Sequence, residues 1–190
     1  MKKLLYLLTL SIFVFTSCED AKTYIPDEEF EQWLICSGYD DIIDHYVLTK
    51  NIMNIKDVHF FEPDAWSPCP DYGAIHDFTG IEDFTDLETI IMDEVPIEKI
   101  DLSKNLNLKS INFTDVYKLK TLDLSENTAL ISLSLDAYVL EELNLKNGNN
   151  TALSFFVESS IPCIQVDDAV WSTANWTVDL PTVFSEDCGY

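Results

Sequence analysis

The sequence predicts an α/β solenoid, a short stack of about four to five coils built from short parallel strands. Three observations lead to it. Aliphatic triplets recur at one spacing through the middle of the chain. An asparagine returns at a fixed offset from them. The two ends of the repeating region carry patterns of their own, helical in front and cysteine-bearing behind.

Leu119, Leu122, Leu124 and Asn127 follow L-x-x-L-x-L-x-x-N, and Ile97, Ile100, Leu102 and Asn105 repeat it 22 positions earlier. This is the leucine-rich-repeat pattern. Further triplets are Leu87/Ile90/Met92, Leu108/Ile111/Phe113, Leu130/Leu133/Leu135 and Leu140/Leu143/Leu145. A full coil takes two triplets, so coils starting at 87, 108, 130 and 153 step by 21, 22 and 23 residues. Period-two alternation turns the last two members of each triplet inward and leaves Asp101, Asp123 and Asn144 outside. No coil buries its apolar face alone, so stability is shared between neighbours. Asn105 and Asn127 are expected to turn inward and bond the backbone at the bend, because a buried amide needs partners. Gly148, beside Asn147, is expected to interrupt that ladder. Both half-coils fit a strand, so which half forms the concave sheet stays open.

Open ends of such a stack need caps. In front, Asp27 is placed to N-cap a helix with Glu28 and Glu29 in its first turn. Phe30, Trp33 and Leu34 share one face of it, and Gly38 stops it. Residues 39–47 are read as a further short helix or turn. Residues 60–74 read as an inserted loop broken by Pro63, Pro68, Pro70 and Gly73. Behind, Ile161, Ile164 and Val166 form a last triplet, and Asp167-Asp168 starts a short helix. Cys36, Cys69, Cys163 and Cys188 are an even set in an exported chain, which favours disulfides over metal. Three pairings are possible; Cys163–Cys188 is preferred, with Cys36–Cys69 second.

Met1-Lys2-Lys3 is a basic start, and the apolar run from Leu4 to Phe15 is 12 residues long. That is too short to span a bilayer, which takes about 20, and it reads as a secretory signal peptide. Phe15-Thr16-Ser17-Cys18 resembles the bacterial lipoprotein box, which implies cleavage before Cys18 and acylation of that residue. Glu19 and Asp20 behind it resemble surface-export signals of Bacteroidetes-type lipoproteins.

The chain holds 34 acidic residues against 11 lysines, and no arginine. Removing residues 1–17 takes away two of the lysines and no acid. Nucleic acid is excluded as a partner, since phosphate binding rests on clustered Lys and Arg. No G-x-S-x-G, H-E-x-x-H, G-x-G-x-x-G or phosphate loop is present. His45, His59 and His76 are scattered, and Asp40, Asp41 and Asp44 lack the alternation and glycine of an EF-hand loop. No catalytic residue, metal site or cofactor is expected, and the protein is read as a non-enzyme.

Outward positions on the half-coils starting at 87, 108 and 130 are Thr89, Ile91, Asp93, Ser110, Asn112, Asp115, Ser132, Ser134 and Asp136. Stacking lines them up as a polar-acidic strip, a candidate binding face, with Phe155 and Val157 continuing it as an apolar end. Trp66 and Tyr72 in the loop are the candidates for an exposed aromatic contact. The partner is read as a protein, a peptide or, by way of the loop aromatics, a glycan, and the chain as a monomer. A purely structural envelope component without a discrete ligand is the remaining alternative.

The segments Tyr24-Ile25-Pro26-Asp27, Gly38-Tyr39-Asp40-Asp41, Thr79-Gly80-Ile81, the two Ile/Leu-Asp-Leu-Ser units, Lys146-Asn147-Gly148-Asn149-Asn150 and the stretch from Cys163 to Cys188 together resemble leucine-rich-repeat surface lipoproteins of Bacteroidetes-type bacteria. The resemblance implies a non-catalytic protein anchored by lipid to the outer membrane and exposed at the surface. It divides the chain into signal peptide (1–17), acidic tether (18–24), helical cap and first coil (25–58), repeats with the loop 60–74 (59–160) and C-terminal cap (161–190).

Overall fold

A computed structural model describes residues 20–61, 75–159, 161–178 and 181–190. The chain begins with β1 (Lys22–Tyr24), α1 (Glu28–Cys36), β2 (Tyr46–Leu48), α2 (Thr49–Ile52) and β3 (Asp57–Phe60). Asp27 caps α1, its Oδ1 accepting from the backbone N–H groups of Glu29 and Phe30 at 3.0 Å. Its Oδ2 accepts from His76 and Asp77, so one carboxylate starts the helix and ties down the segment that follows the loop. At the other end Gly38, at φ 80°, closes a Schellman motif: its N–H reaches the carbonyl of Ile35, and Tyr39 N–H that of Leu34. Phe30, Trp33 and Leu34 are buried, and Phe30 meets Phe60, Phe78 and Phe84 ring to ring.

The region 39–47 forms a turn and then β2, which pairs antiparallel with β1. No helix forms there, because Glu31 Oε1 takes the backbone N–H groups of Asp44 and Tyr46 and so holds the chain extended into β2. The expected tether 18–24 is shorter than read. Asp20 pairs with Lys50, Ala21 accepts from Thr49, and residues 22–24 are β1, with Thr23 buried. The inserted loop also starts later, since Phe60 closes β3 and is fully buried.

The rest of the chain adds β4 (Thr89–Asp93), β5 (Ser110–Thr114), β6 (Thr121–Asp123), β7 (Ser132–Leu135), β8 (Glu142–Asn144), β9 (Ser154–Val157), β10 (Cys163–Gln165), α3 (Ala169–Asn175) and β11 (Val183–Ser185). From β5 to β10 successive strands alternate between two parallel sheets. One has the order β3-β4-β5-β7-β9, the other β11-β10-β8-β6. Between β4 and β5 the segment around Leu102 buries that leucine without forming a strand.

Between the sheets lie the aliphatic triplets. Ile90, Ile111 and Leu133 are in register, as are Met92, Phe113 and Leu135, and each is at most 1% exposed. Burying such a side chain is worth about 1.5–3 kcal/mol, and each one rests on its counterpart in the next strand. Asn105 and Asn127 point into this interior and are fully buried. Asn105 Nδ2 donates to the carbonyls of Ile81 and Phe84, and Asn127 Nδ2 to those of Leu102 and Asn105. The ladder does not stop at Gly148. Asn147 Nδ2 donates to the carbonyl of Asn127 at 3.2 Å, and Asn150 takes the next bend, donating to Leu145 and accepting from Asp167. Gly148, at φ 78°, turns the chain so that both asparagines face inward.

At the back, Asp168 caps α3 through Trp171 N–H. Trp176 stacks on Phe155 with ring centroids 4.4 Å apart and meets Phe184 edge-on. The Cys163–Cys188 disulfide joins β10 to the chain end across 25 residues, with Cα atoms 5.9 Å apart. Cys36 is also disulfide-bonded; Cys69, its expected partner, lies outside the described residues.

Candidate binding face

Successive side chains of a strand point to opposite faces. While Ile90 and Met92 enter the core, Thr89, Ile91 and Asp93 emerge on the other face of the five-stranded sheet. Parallel pairing sets like positions beside one another, about 4.8 Å apart. One row runs Asp57, Thr89, Ser110, Ser132, Ser154, and the next runs His59, Ile91, Asn112, Ser134, Phe156. Small polar side chains fill the centre of both rows. In the second row Ile91 stands beside His59 at one end, and Phe156, 59% exposed, closes the other.

A third row is acidic. Asp93 pairs with Thr114, and beyond them Asp136 and Glu158 take the equivalent positions at the ends of β7 and β9. Asp115 is displaced by one residue from the expected row and adopts φ 52°. It remains at the rim, where the Tyr138 hydroxyl lies 3.0 Å from Asp115 Oδ1 and 3.3 Å from Asp136 Oδ2. These two carboxylates hold the phenolic proton, Asp115 most strongly, and push the Tyr138 pKa up to about 12. On the opposite rim Glu88 bridges two lysines, with Oε1 at 2.8 Å from Lys56 Nζ and Oε2 at 2.5 Å from Lys109 Nζ. The hydrogen bonds from Lys109 and then Lys56 pull its carboxyl down to about 2.

The sheet therefore brings together Thr89, Ile91, Asp93, Ser110, Asn112, Ser132, Ser134 and Asp136, with Asp115 beside them. Phe155 and Val157 are not part of the face. They pair with Leu133 and Leu135 and point into the interior, and Ser154 and Phe156 stand outside in their place. The cause is a one-residue shortening: Leu153 is buried as Leu130 is, and its N–H reaches Asn150 as that of Leu130 reaches Asn127, but β9 follows one residue sooner, and such a shift turns a strand over. His59, Thr114, Glu158 and Tyr138 also belong to the face or its rim. Counting in steps of 22 from Asn112 and Ser134 finds Phe156; His59 shows no such signal because the loop separates β3 from β4 in sequence. Trp66, Tyr72 and Cys18 lie outside the described residues.

The two sheets differ in what covers them. The C-terminal residues cross the outer side of the four-stranded sheet. The Tyr190 hydroxyl donates to the carbonyls of Leu143 and Cys163, Cys188 N–H donates to Gln165 Oε1, and Lys146 Nζ donates to the carbonyl of Glu186. Among the described residues no such segment bonds across the middle row of the five-stranded sheet. Its Asn112 and Ser134 side chains make no hydrogen bond to the protein. Among the described residues no group of three or more His, Cys, Asp and Glu side chains is arranged to hold a metal ion. No helix among them is long and apolar enough to cross a membrane.

No family model matches the chain, and no curated protein matches it. Among solved structures it is similar to the functional domain of InlJ from Listeria monocytogenes, described as including a cysteine ladder. The likeness covers 76% of this chain and 39% of that one, at 18% identity and a TM-score of 0.36. This chain thus spans about two fifths of the length of that one.

Proposed function

We propose that the chain is a non-enzymatic leucine-rich-repeat solenoid of about four to five coils that binds a protein or peptide through the bare face of its five-stranded sheet. We propose further that it does so at a bacterial surface, held there by acyl chains on Cys18.

The observation that carries the binding face is a difference between the sheets: the chain's own C-terminus crosses the β8–β10 part of one, and among the described residues no segment crosses the other. Three things support a macromolecular partner. The open face is broad, about 19 Å from β3 to β9 at the usual strand spacing. Its centre is made of small side chains that allow close approach. Its middle row ends in Phe156, an exposed aromatic side chain that a partner would bury, the kind of anchor that dominates interface energetics. The solenoid reading is supported by the alternation of strands between two sheets and by the asparagine ladder at the bends.

The experiment is a capture from intact cells with the full chain as bait, comparing Asn112→Lys and Ser132→Lys with the parent. Both sites are partly exposed, so both variants keep the fold. Loss of the same captured proteins in both variants supports the reading. An unchanged capture profile refutes it.

A further inference from the structure

At the β1–β2 end the chain is fixed to the fold almost as soon as it leaves the proposed anchor. Asp20 Oδ2 meets Lys50 Nζ at 2.6 Å, the carbonyl of Ala21 accepts from Thr49 N–H at 2.9 Å, and β1 starts at Lys22. Cys18 precedes Asp20 by two residues, a reach of at most ~7 Å even when fully extended. An acylated cysteine sits where tails meet headgroups. With so short a leash, this end of the molecule has no room to stand clear of the lipid.

The same end carries large apolar side chains in the open. Tyr24, Ile42, Ile43 and Tyr46 are 50%, 56%, 46% and 44% exposed. The rings of Tyr24 and Tyr46 lie 5.4 Å apart, and Tyr46 and Ile42 line one depression with Lys22, Asp40, Asp41 and Asp44. Lys22 Nζ stands 5.8 Å from the Tyr46 ring centroid. Tyrosine suits a membrane–water boundary because its ring is apolar and its hydroxyl wet, and lysine lays its stem on such a surface with its charge in water. Two of the acids here are compensated: Asp20 pairs with Lys50 and Asp44 with Lys22. Asp40, whose pKa burial raises, and Asp41 have no lysine partner among the described residues.

We propose that Tyr24, Ile42, Ile43 and Tyr46 rest in the headgroup layer of the membrane that holds Cys18, so that the cap is a second contact beside the acyl anchor. This rests on the acylation of Cys18 proposed above. It also sets the orientation of the molecule: β3 lies nearer the lipid than β9, and the open sheet face stands to the side of the bilayer.

The test uses the full chain with a benzophenone amino acid at Ile43, separately at Tyr24, and as a control at Val170, which is 82% exposed on α3. Each protein is irradiated in phosphatidylethanolamine–phosphatidylglycerol vesicles and on intact cells. The mass of the N-terminal peptide reports the acyl group, and the masses of the labelled peptides report adducts. The expected result is an acylated Cys18, lipid adducts at Ile43 and Tyr24, and no lipid adduct at Val170. Acylated Cys18 without lipid adducts at Ile43 and Tyr24 overturns the docking and leaves the anchor standing. An unacylated Cys18 overturns both. A protein adduct at Ile43 in place of lipid also overturns the docking and makes the patch a protein interface.

Discussion

The side-chain amide of Asn127 donates to the backbone carbonyl of Asn105 at 3.1 Å, across 22 residues of sequence. The same nitrogen donates to Leu102 at 3.0 Å. Both carbonyls belong to the preceding bend, so one side chain satisfies two acceptors that water cannot reach. Each also accepts from the backbone, Leu102 from Asn105 N–H and Asn105 from Leu108 N–H, so Asn127→Ala removes one of two bonds at each. A lost hydrogen bond costs about 0.5–1.5 kcal/mol, so the substitution is expected to destabilise the protein by about 1–3 kcal/mol. Urea unfolding monitored by circular dichroism measures it. A loss under about 0.5 kcal/mol, the range of ordinary surface substitutions, would show that the ladder is incidental.

Gly80 is needed for two reasons at one position. Its φ is 105°, and a Cβ there would lie 2.9 Å from the carbonyl oxygen of Tyr24 and 2.3 Å from Ile25 Cδ1. The isoleucine can move, but the β1 backbone is held by its pairing with β2. Gly80→Ala is expected to cost about 1–3 kcal/mol and to loosen β1 first. Hydrogen exchange should rise at Thr23 and Tyr24 before it rises in β5. Unchanged protection at those amides would contradict the packing described.

Glu88 should titrate far below an ordinary glutamate. Its pKa is lowered from 4.5 to about 2 by Lys109 and Lys56. A carboxylate lowered on folding stabilises the fold above its unfolded value, and that contribution fades as pH falls from about 4.5 toward 2. The side chain is partly exposed, so the effect is small and salt weakens it. NMR titration of the Glu88 side chain should show the low value, and Lys109→Met should raise it. A Glu88 midpoint near 4.5 in the parent protein would rule out the double bridge.

Reduction tests the rear cap. The Cys163–Cys188 bond closes a loop across 25 residues, worth about 3–4 kcal/mol in the chain-entropy account. The paired substitution Cys163→Ser with Cys188→Ser should lower thermal stability. It should also free Tyr190, whose hydroxyl is held at 2.8 Å from the carbonyl of Leu143. A faster-exchanging β11 with an unchanged β5 is the expected pattern; uniform loss throughout would mean the cap is not a separate unit.

The interior was legible in the sequence because burial enforces periodicity. The triplets from Leu87 to Leu145, the inward asparagines at 105 and 127, the Asp27 cap and the Gly38 stop all follow from local spacing. What escaped depends on contacts between distant residues. Nothing near residues 39–47 announces that Glu31 takes two of their backbone N–H groups and draws them into a strand. Nothing near Asp20 announces Lys50. The outward rows were legible through β7 and lost at β9, where a single-residue shift exchanged Phe155 for Phe156. Which sheet the end of the chain crosses was not legible either, because the answer lies in how residues 186–190 fold back.

The most direct measurement of the binding face is hydroxyl-radical footprinting of the full chain, on intact cells against the purified protein. His59, Ile91 and Phe156 report the open face, while Tyr117 and Val170 report surfaces elsewhere. Lower oxidation on cells at His59, Ile91 and Phe156, with Tyr117 and Val170 unchanged, is the predicted result. Equal oxidation at all five, or protection confined to Tyr117 and Val170, would contradict it.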